Sequence, residues 1–237
     1  MRKCIKSAAK FIPSYAILPL LTCVIVNFGV YIGTEWITEN WKHYDLTLAA
    51  DKMIPVIPAF TVIYIGCYLF WIVNYILIAR QGKEHCMRFV TADILSRLIC
   101  GVIYLLLPTM NVRPLLSGTD IWTELLRWVY GMDAPTRLFP SIHCLVSWFC
   151  YIGIRRRKNI PKGYRLFSCL FALLVCISTL VTKQHYLVDA LGGIFLAEAM
   201  YYLAFHTELY RSLEWIFDRI RVGGLGAAAR FVKGERG

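Results

Sequence analysis

Charge is scarce in this chain. Asp, Glu, Lys and Arg make up 17% of the 237 residues and hydrophobic residues 58%, against about 25% charged in an ordinary soluble domain. With a mean hydropathy of +0.54, a typical water-soluble globule is excluded. Paired cysteine motifs are missing as well. The nine cysteines include no CxxC pair and lie mostly within apolar stretches, so they read as small buried hydrophobes and not as a zinc or disulfide framework. No internal repeat or low-complexity segment occurs, which argues against the repeat architecture common in transporters. The apolar runs lack the two-residue alternation of a membrane β-barrel. The first uncharged stretch, 11–34, is too long for the apolar region of a signal peptide and has no A-x-A cleavage site, so it is expected to remain as a membrane anchor.

What the chain does contain is long apolar runs. A hydrocarbon core about 30 Å thick needs roughly 20 residues of helix, and six segments approach that length: 15–33, 57–79, 89–107, 141–154, 166–180 and 189–205. The fourth is short, and the third and sixth carry charges. The expected fold is all-α, a polytopic bundle of six transmembrane helices within residues 1–210. A cytoplasmic segment, 211–237, follows it; its start, RSLEWIFDRIR, is amphipathic and its Gly/Ala-rich end from Gly223 reads as a loose tail. A net charge of +11 would suggest nucleic acid as a partner in a soluble chain. Here nineteen of the 26 Lys and Arg residues fall on one side of the bundle when the N-terminus is placed inside, so membrane topology accounts for them, with both termini cytoplasmic. The compact chain points to a bacterial plasma membrane. Arg97 and Glu198 fall near the centres of their segments, where a charge costs on the order of 2.5–3.5 kcal/mol. They are expected to pair, with Asp93, one turn before Arg97, as the competing local partner.

Polar residues concentrate at one end of the bundle. Leu138-Phe139-Pro140-Ser141-Ile142-His143 opens the fourth segment, STLVTKQHYLVD (residues 178–189) joins the fifth to the sixth, and Pro108–Pro114 closes the third. His185 and Asp189 stand four apart; on one helix face the carboxylate would accept a hydrogen bond from Nδ1–H, fix the tautomer and leave Nε2 free as a nucleophile. Ser141 stands at the expected helix start, where free amides and the dipole favour an anion. His143 is placed to act as a general acid. Arg113 and Lys183 offer positive charge to phosphoryl oxygens. Each residue alone has a plainer reading, as a cap, a headgroup anchor or an interfacial hydrogen bonder. Together they supply nucleophile, orienter, acid and anion cradle.

These pieces resemble the three signature motifs of the type 2 phosphatidic acid phosphatase superfamily: Arg113-Pro114, Pro140-Ser141-Ile142-His143, and His185-Tyr186-Leu187-Val188-Asp189. Upstream, Asp51-Lys52-Met53-Ile54-Pro55-Val56-Ile57-Pro58 is similar to a feature of the bacterial branch related to inositol-phosphosphingolipid and sphingomyelin synthases. The resemblance implies a six-helix bundle with an active site at the outer membrane–water interface. It implies phosphoryl transfer without metal or cofactor: His185 attacks phosphorus, Asp189 holds His185, and His143 protonates the leaving oxygen. Ser141, Arg113 and Lys183 would bind the phosphoryl oxygens. Three positions depart from the family pattern. Leu106 stands where a lysine is common, Ile142 replaces a glycine, and Ser178-Thr179 replaces a Ser-Arg pair, with Lys183 in the place of the missing arginine as in the synthase-like branch.

The substrate expected is a lipid phosphate: a phosphatidic acid, a phosphatidylglycerol phosphate or a polyprenyl diphosphate. Two enzyme readings stay open, a phosphatase and a phosphotransferase that passes the group to a lipid hydroxyl. A non-catalytic transporter or scaffold is the third reading, although a scaffold has no use for the full His, Asp, Ser and Arg set.

Overall fold

The computed structural model describes residues 11–233, with side chains through residue 221. Its long helices are α1 (Ser14–Thr38), α3 (Thr61–Ala79), α4 (Lys83–Leu106), α7 (Lys162–Val181) and α8 (Leu187–His206). These five are long and apolar enough to cross a membrane. Shorter pieces sit between them: β1 (Tyr44–Asp45), α2 (Ala49–Met53), a 3₁₀ turn (Pro58–Phe60), β2 (Thr109–Met110), α5 (Ile121–Met132) and α6 (Ile142–Ile152). The last helix, α9 (Tyr210–Lys233), runs through the Gly/Ala-rich stretch. The chain is thus mostly helical, and its helices coincide with the six apolar segments, each extended or trimmed by a few residues at its polar ends.

Large apolar side chains are exposed on the outer faces of the long helices, among them Ile25 on α1, Leu69 on α3, Leu170 on α7 and Phe195 on α8. A surface of this kind has lipid as its solvent. Inside, Phe89 and Tyr104 of α4 pack with Leu145, Phe149 and Ile152 of α6 and Ala197 of α8. Helix α1 lies against α4, while α6 is enclosed by α3, α7 and α8. That enclosure explains how α6 can be short. Its eleven residues span about 16 Å, half of a hydrocarbon core, and its neighbours cover it from lipid. The eight described cysteines are all free and seven are buried; Cys4 lies outside the described residues.

The expected Arg97–Glu198 pair does not form. Arg97 Nη2 lies 2.9 Å from Asp93 Oδ1, and the Tyr75 hydroxyl donates to the same oxygen at 2.7 Å. Both charged residues are almost fully buried. Glu198 instead takes a two-pronged contact from Arg155, Nη1–Oε1 2.6 Å and Nη2–Oε2 3.0 Å, with Trp148 Nε1 at 2.9 Å. The reason is the brevity of α6. Because it stops at Ile152, Arg155 comes alongside the middle of α8, level with Glu198, instead of beyond the helix ends.

A further helix falls outside the six expected segments, although its apolar residues recur at helical spacing. Residues 121–132 form α5, capped by Asp120, whose carboxylate accepts from the amides of Trp122 and Thr123. Ile121, Trp122, Trp128 and Met132 are exposed on it, the pattern of a helix lying in an interface.

Candidate active site

The three polar segments meet at one end of the bundle, stapled by backbone and small polar groups. β1 and β2 pair in parallel, Tyr44 with Thr109 and Asp45 with Met110. The Thr109 carbonyl accepts from the Arg137 amide at 2.8 Å, and its hydroxyl oxygen accepts from the amides of Leu138 and Phe139. Asn111 Nδ2 donates to the Lys183 carbonyl at 2.9 Å. The Ser141 amide donates to the Asp189 carbonyl at 3.0 Å. The upstream segment joins in: Asp51 Oδ1 accepts from the Leu187 amide at 2.9 Å, and Ile57 N donates to Val181 O. Each polar segment is therefore fixed by at least one of the others.

Ser141 caps α6, its Oγ accepting from the Cys144 amide at 3.3 Å. The first helical amides, of Ile142 and His143, have no acceptor within the helix, as at any helix N-terminus. The His143 ring is stacked on Tyr64 at 4.3 Å between centroids and flanked by Trp71 at 5.5 Å. Its Nε2 is buried without a partner. The His185 ring lies 6.0 Å away.

His185 does not share a helix face with Asp189. It sits in the turn before α8, its amide donating to the Thr179 carbonyl at 3.1 Å, while Asp189 occupies the first turn of α8. The pair still meets, Nδ1 to Oδ2 at 3.5 Å. That is ion-pair range, and longer than a settled hydrogen bond; a catalytic contact of this kind commonly tightens once substrate is bound. The same Oδ2 accepts from the Tyr186 amide at 2.8 Å, which fixes the carboxylate. Burial disfavours the imidazolium, but the hydrogen bonding and charge of Asp189, aided by Cys144 and Asp133, outweigh it and hold the His185 pKa above its ordinary value.

Arg113 directs both terminal nitrogens, though not its unpartnered Nε, and Lys183 its ammonium at protein acceptors. Arg113 Nη1 donates to the carbonyls of Tyr130 and Asp133, and Nη2 to Gln184 Oε1 at 2.6 Å, with its guanidinium over the Tyr130 ring. Lys183 Nζ donates to the carbonyls of Asp51 and Ile54 at 2.8 and 2.7 Å. Burial lowers its pKa, with the charge of Asp51 opposing.

A cavity of about 360 Å³ opens onto the two histidines. Its walls are aromatic, with Tyr31, Tyr64, Tyr68, Trp71, Tyr104 and Trp128, and its polar lining includes Asp133, Arg137 and Gln184. Arg113, Ser141, Lys183 and Asp189 lie outside the lining. Arg137 and Gln184 were absent from the residues singled out in the sequence. Their only signal there is adjacency, three residues before Pro140 and one before His185.

His143 of the Pro-Ser-x-His element and His185 of the His-x-x-x-Asp element line one cavity of the helix bundle, and Arg113 of the Arg-Pro element is bonded to Gln184 on its wall. Residues 38–203 match the model of the PAP2 superfamily. The chain belongs to this superfamily, whose members are usually phosphatases or phosphotransferases. An uncharacterized protein of Methanocaldococcus jannaschii is 24% identical over 178 residues, covering 70% of this chain and 69% of that one. No solved structure matches the chain.

Proposed function

We propose that the protein is an integral-membrane lipid phosphate phosphatase working through a phosphohistidine, with its site at the outer membrane–water interface of a bacterial plasma membrane and both termini cytoplasmic. The observation that supports it best is that His143 and His185 line one cavity, with Asp189 behind His185.

In the first step His185 Nε2 attacks phosphorus as the bond to the lipid oxygen breaks, and His143 gives its proton to that oxygen. In the second, neutral His143 takes a proton from water as the oxygen attacks phosphorus; the N–P bond breaks and inorganic phosphate leaves. Asp189 holds Nδ1 and stabilises positive charge on the ring. The α6 amides capped by Ser141 add dipole to the phosphoryl site. The charges of Arg113 and Lys183 contribute positive field beside it. The aromatic walls suit the apolar part of a lipid phosphate.

A lipid hydroxyl attacking the same intermediate would make the protein a head-group phosphotransferase. One experiment separates the readings. Detergent-solubilised protein is incubated with phosphatidic acid, phosphatidylglycerol phosphate and a polyprenyl diphosphate, with and without an alcohol acceptor. Phosphate release independent of acceptor, with an acid-labile phosphoenzyme that is missing in His185→Ala, is expected. Transfer to acceptor without phosphate release would identify the phosphotransferase.

A further inference from the structure

Apart from the ring nitrogens of the two histidines, three donor atoms of residues lining the cavity have no acceptor. Arg137 is 2% exposed. Its Nη1 donates to the Tyr31 carbonyl at 3.1 Å and pairs with Glu35 at 3.0 Å, and its guanidinium lies 4.2 Å over the Tyr31 ring. Its Nε and Nη2 are buried without a partner. Gln184 is also 2% exposed. Its Oε1 accepts from Arg113, while its Nε2 is buried without a partner. Because arginine carries donors only, the amide oxygen must face Arg113 and the amide nitrogen must point away from it.

Neither side chain arrives by accident. Arg137 holds a left-handed φ of 56°, a conformation disfavoured for residues with a side chain, and Thr109 pins it through three amides. Gln184 follows Lys183, whose φ is 53° and whose ammonium is fastened to the carbonyls of Asp51 and Ile54. Unusual backbone and unsatisfied buried donors together are the marks of a site built for a ligand.

The ligand's chemistry follows from the donors. A phosphoryl group presents three oxygens that need hydrogen bonds and positive charge. Both terminal nitrogens of Arg113 and the ammonium of Lys183 already have protein acceptors; Arg113 Nε has none, but neither residue lines the cavity. Asp133, the carboxylate of the cavity wall, is engaged by the Tyr31 hydroxyl. Arg137 is the cationic side chain of the described lining.

We propose that Arg137 and Gln184 are the direct ligands of the substrate's phosphoryl oxygens, and that Arg113 is a positioning residue that aims Gln184 Nε2 at them. The Nε and Nη2 edge of Arg137 forks onto two oxygens, and Gln184 reaches the third. This deepens the phosphoryl-transfer reading above and rests on it.

The test uses full-length protein in detergent and two readouts: the shift of the thermal-unfolding midpoint with inorganic phosphate, and kcat and KM for phosphatidic acid. Arg137→Gln and Gln184→Glu are expected to weaken phosphate binding about 10- to 100-fold and to raise KM correspondingly. Arg127→Gln, which removes an exposed charge, leaves both readouts unchanged. Gln184→Glu retains a partner for Arg113 and so carries the test if Arg137→Gln does not fold. Arg113→Lys should weaken phosphate binding in the wild-type background and add nothing in Gln184→Glu, a non-additivity that general loosening would not produce. Unchanged phosphate affinity in either folded variant, or no phosphate-dependent shift in the wild type, overturns the proposal. Phosphate binding through these residues without phosphate release from any lipid would leave the ligand assignment standing and sink the phosphatase reading.

Discussion

A Cβ placed on Gly193 would fall 2.5 Å from the carbonyl oxygen of Ser141 and 3.1 Å from the amide nitrogen of Leu145. Helix α8 therefore approaches the start of α6 as closely as backbone allows, which is what brings His185 beside His143. Gly193→Ala must push the two helices apart. It is expected to lower activity at least about ten-fold, given how steeply catalysis depends on positioning, and to lower the thermal-unfolding midpoint. Gly29→Ala, at a position with nothing within 4 Å, should do neither.

Removing the nucleophile differs in severity from removing the acid. His185→Ala should abolish turnover and phosphoenzyme while the protein stays folded. His143→Ala should lose about 10²- to 10⁴-fold, with the loss smallest on substrates with good leaving groups. Steady-state phosphate release from a lipid phosphate and from an aryl phosphate checks both, and near-normal turnover in His185→Ala would end the mechanism.

The acid limb of the pH profile reports His185. The ring attacks only when neutral, and Asp189 holds its pKa above the ordinary value of about 6.5. Activity should therefore rise with pH through a midpoint above that value. Asp189→Asn removes the two largest of the causes that raise it, so the limb should move toward lower pH while the maximal rate falls. A limb that does not move in Asp189→Asn would dissociate the carboxylate from the titration.

Turnover is expected to need no divalent cation. Asp189 Oδ2 is already held by Tyr186 N and His185, and Arg137, which lines the same cavity as His185, adds a positive charge unfavourable to a metal. Activity in excess chelator should equal that in its absence; loss restored by magnesium would contradict this.

The buried Asp93–Arg97 pair should behave as a unit. Asp93→Ala leaves the Arg97 charge uncompensated and is expected to cost about 3–5 kcal/mol, enough to prevent a folded protein from accumulating. Tyr75→Phe removes one hydrogen bond to the same carboxylate and should cost about 1–3 kcal/mol. Yields of monodisperse protein and unfolding midpoints distinguish the two.

Much of this was legible in the residue order. Bilayer thickness turns apolar run length into helices, so the six segments reappear as α1, α3, α4, α6, α7 and α8. The three signature elements, read as His185, His143, Asp189, Ser141, Arg113 and Lys183, do gather at one end of the bundle. Short motifs carry this information because each is a local staple: Ser141 caps its own helix, and Asp189 binds an amide three residues back.

Partner choice was decided elsewhere. Sequence spacing places Arg97 and Glu198 at similar depth, but only the early end of α6 brings Arg155 to Glu198 and leaves Arg97 to Asp93. Likewise the residue order offers Arg113 and Lys183 as the cations of the site, whereas the packed chain turns their donors onto carbonyls and sets Arg137 and Gln184 on the cavity wall. Composition and periodicity fix which segments leave water, because burial follows from each segment's own surface. Which polar atoms remain unpaired depends on every neighbour at once, and so it was the tertiary structure that decided it.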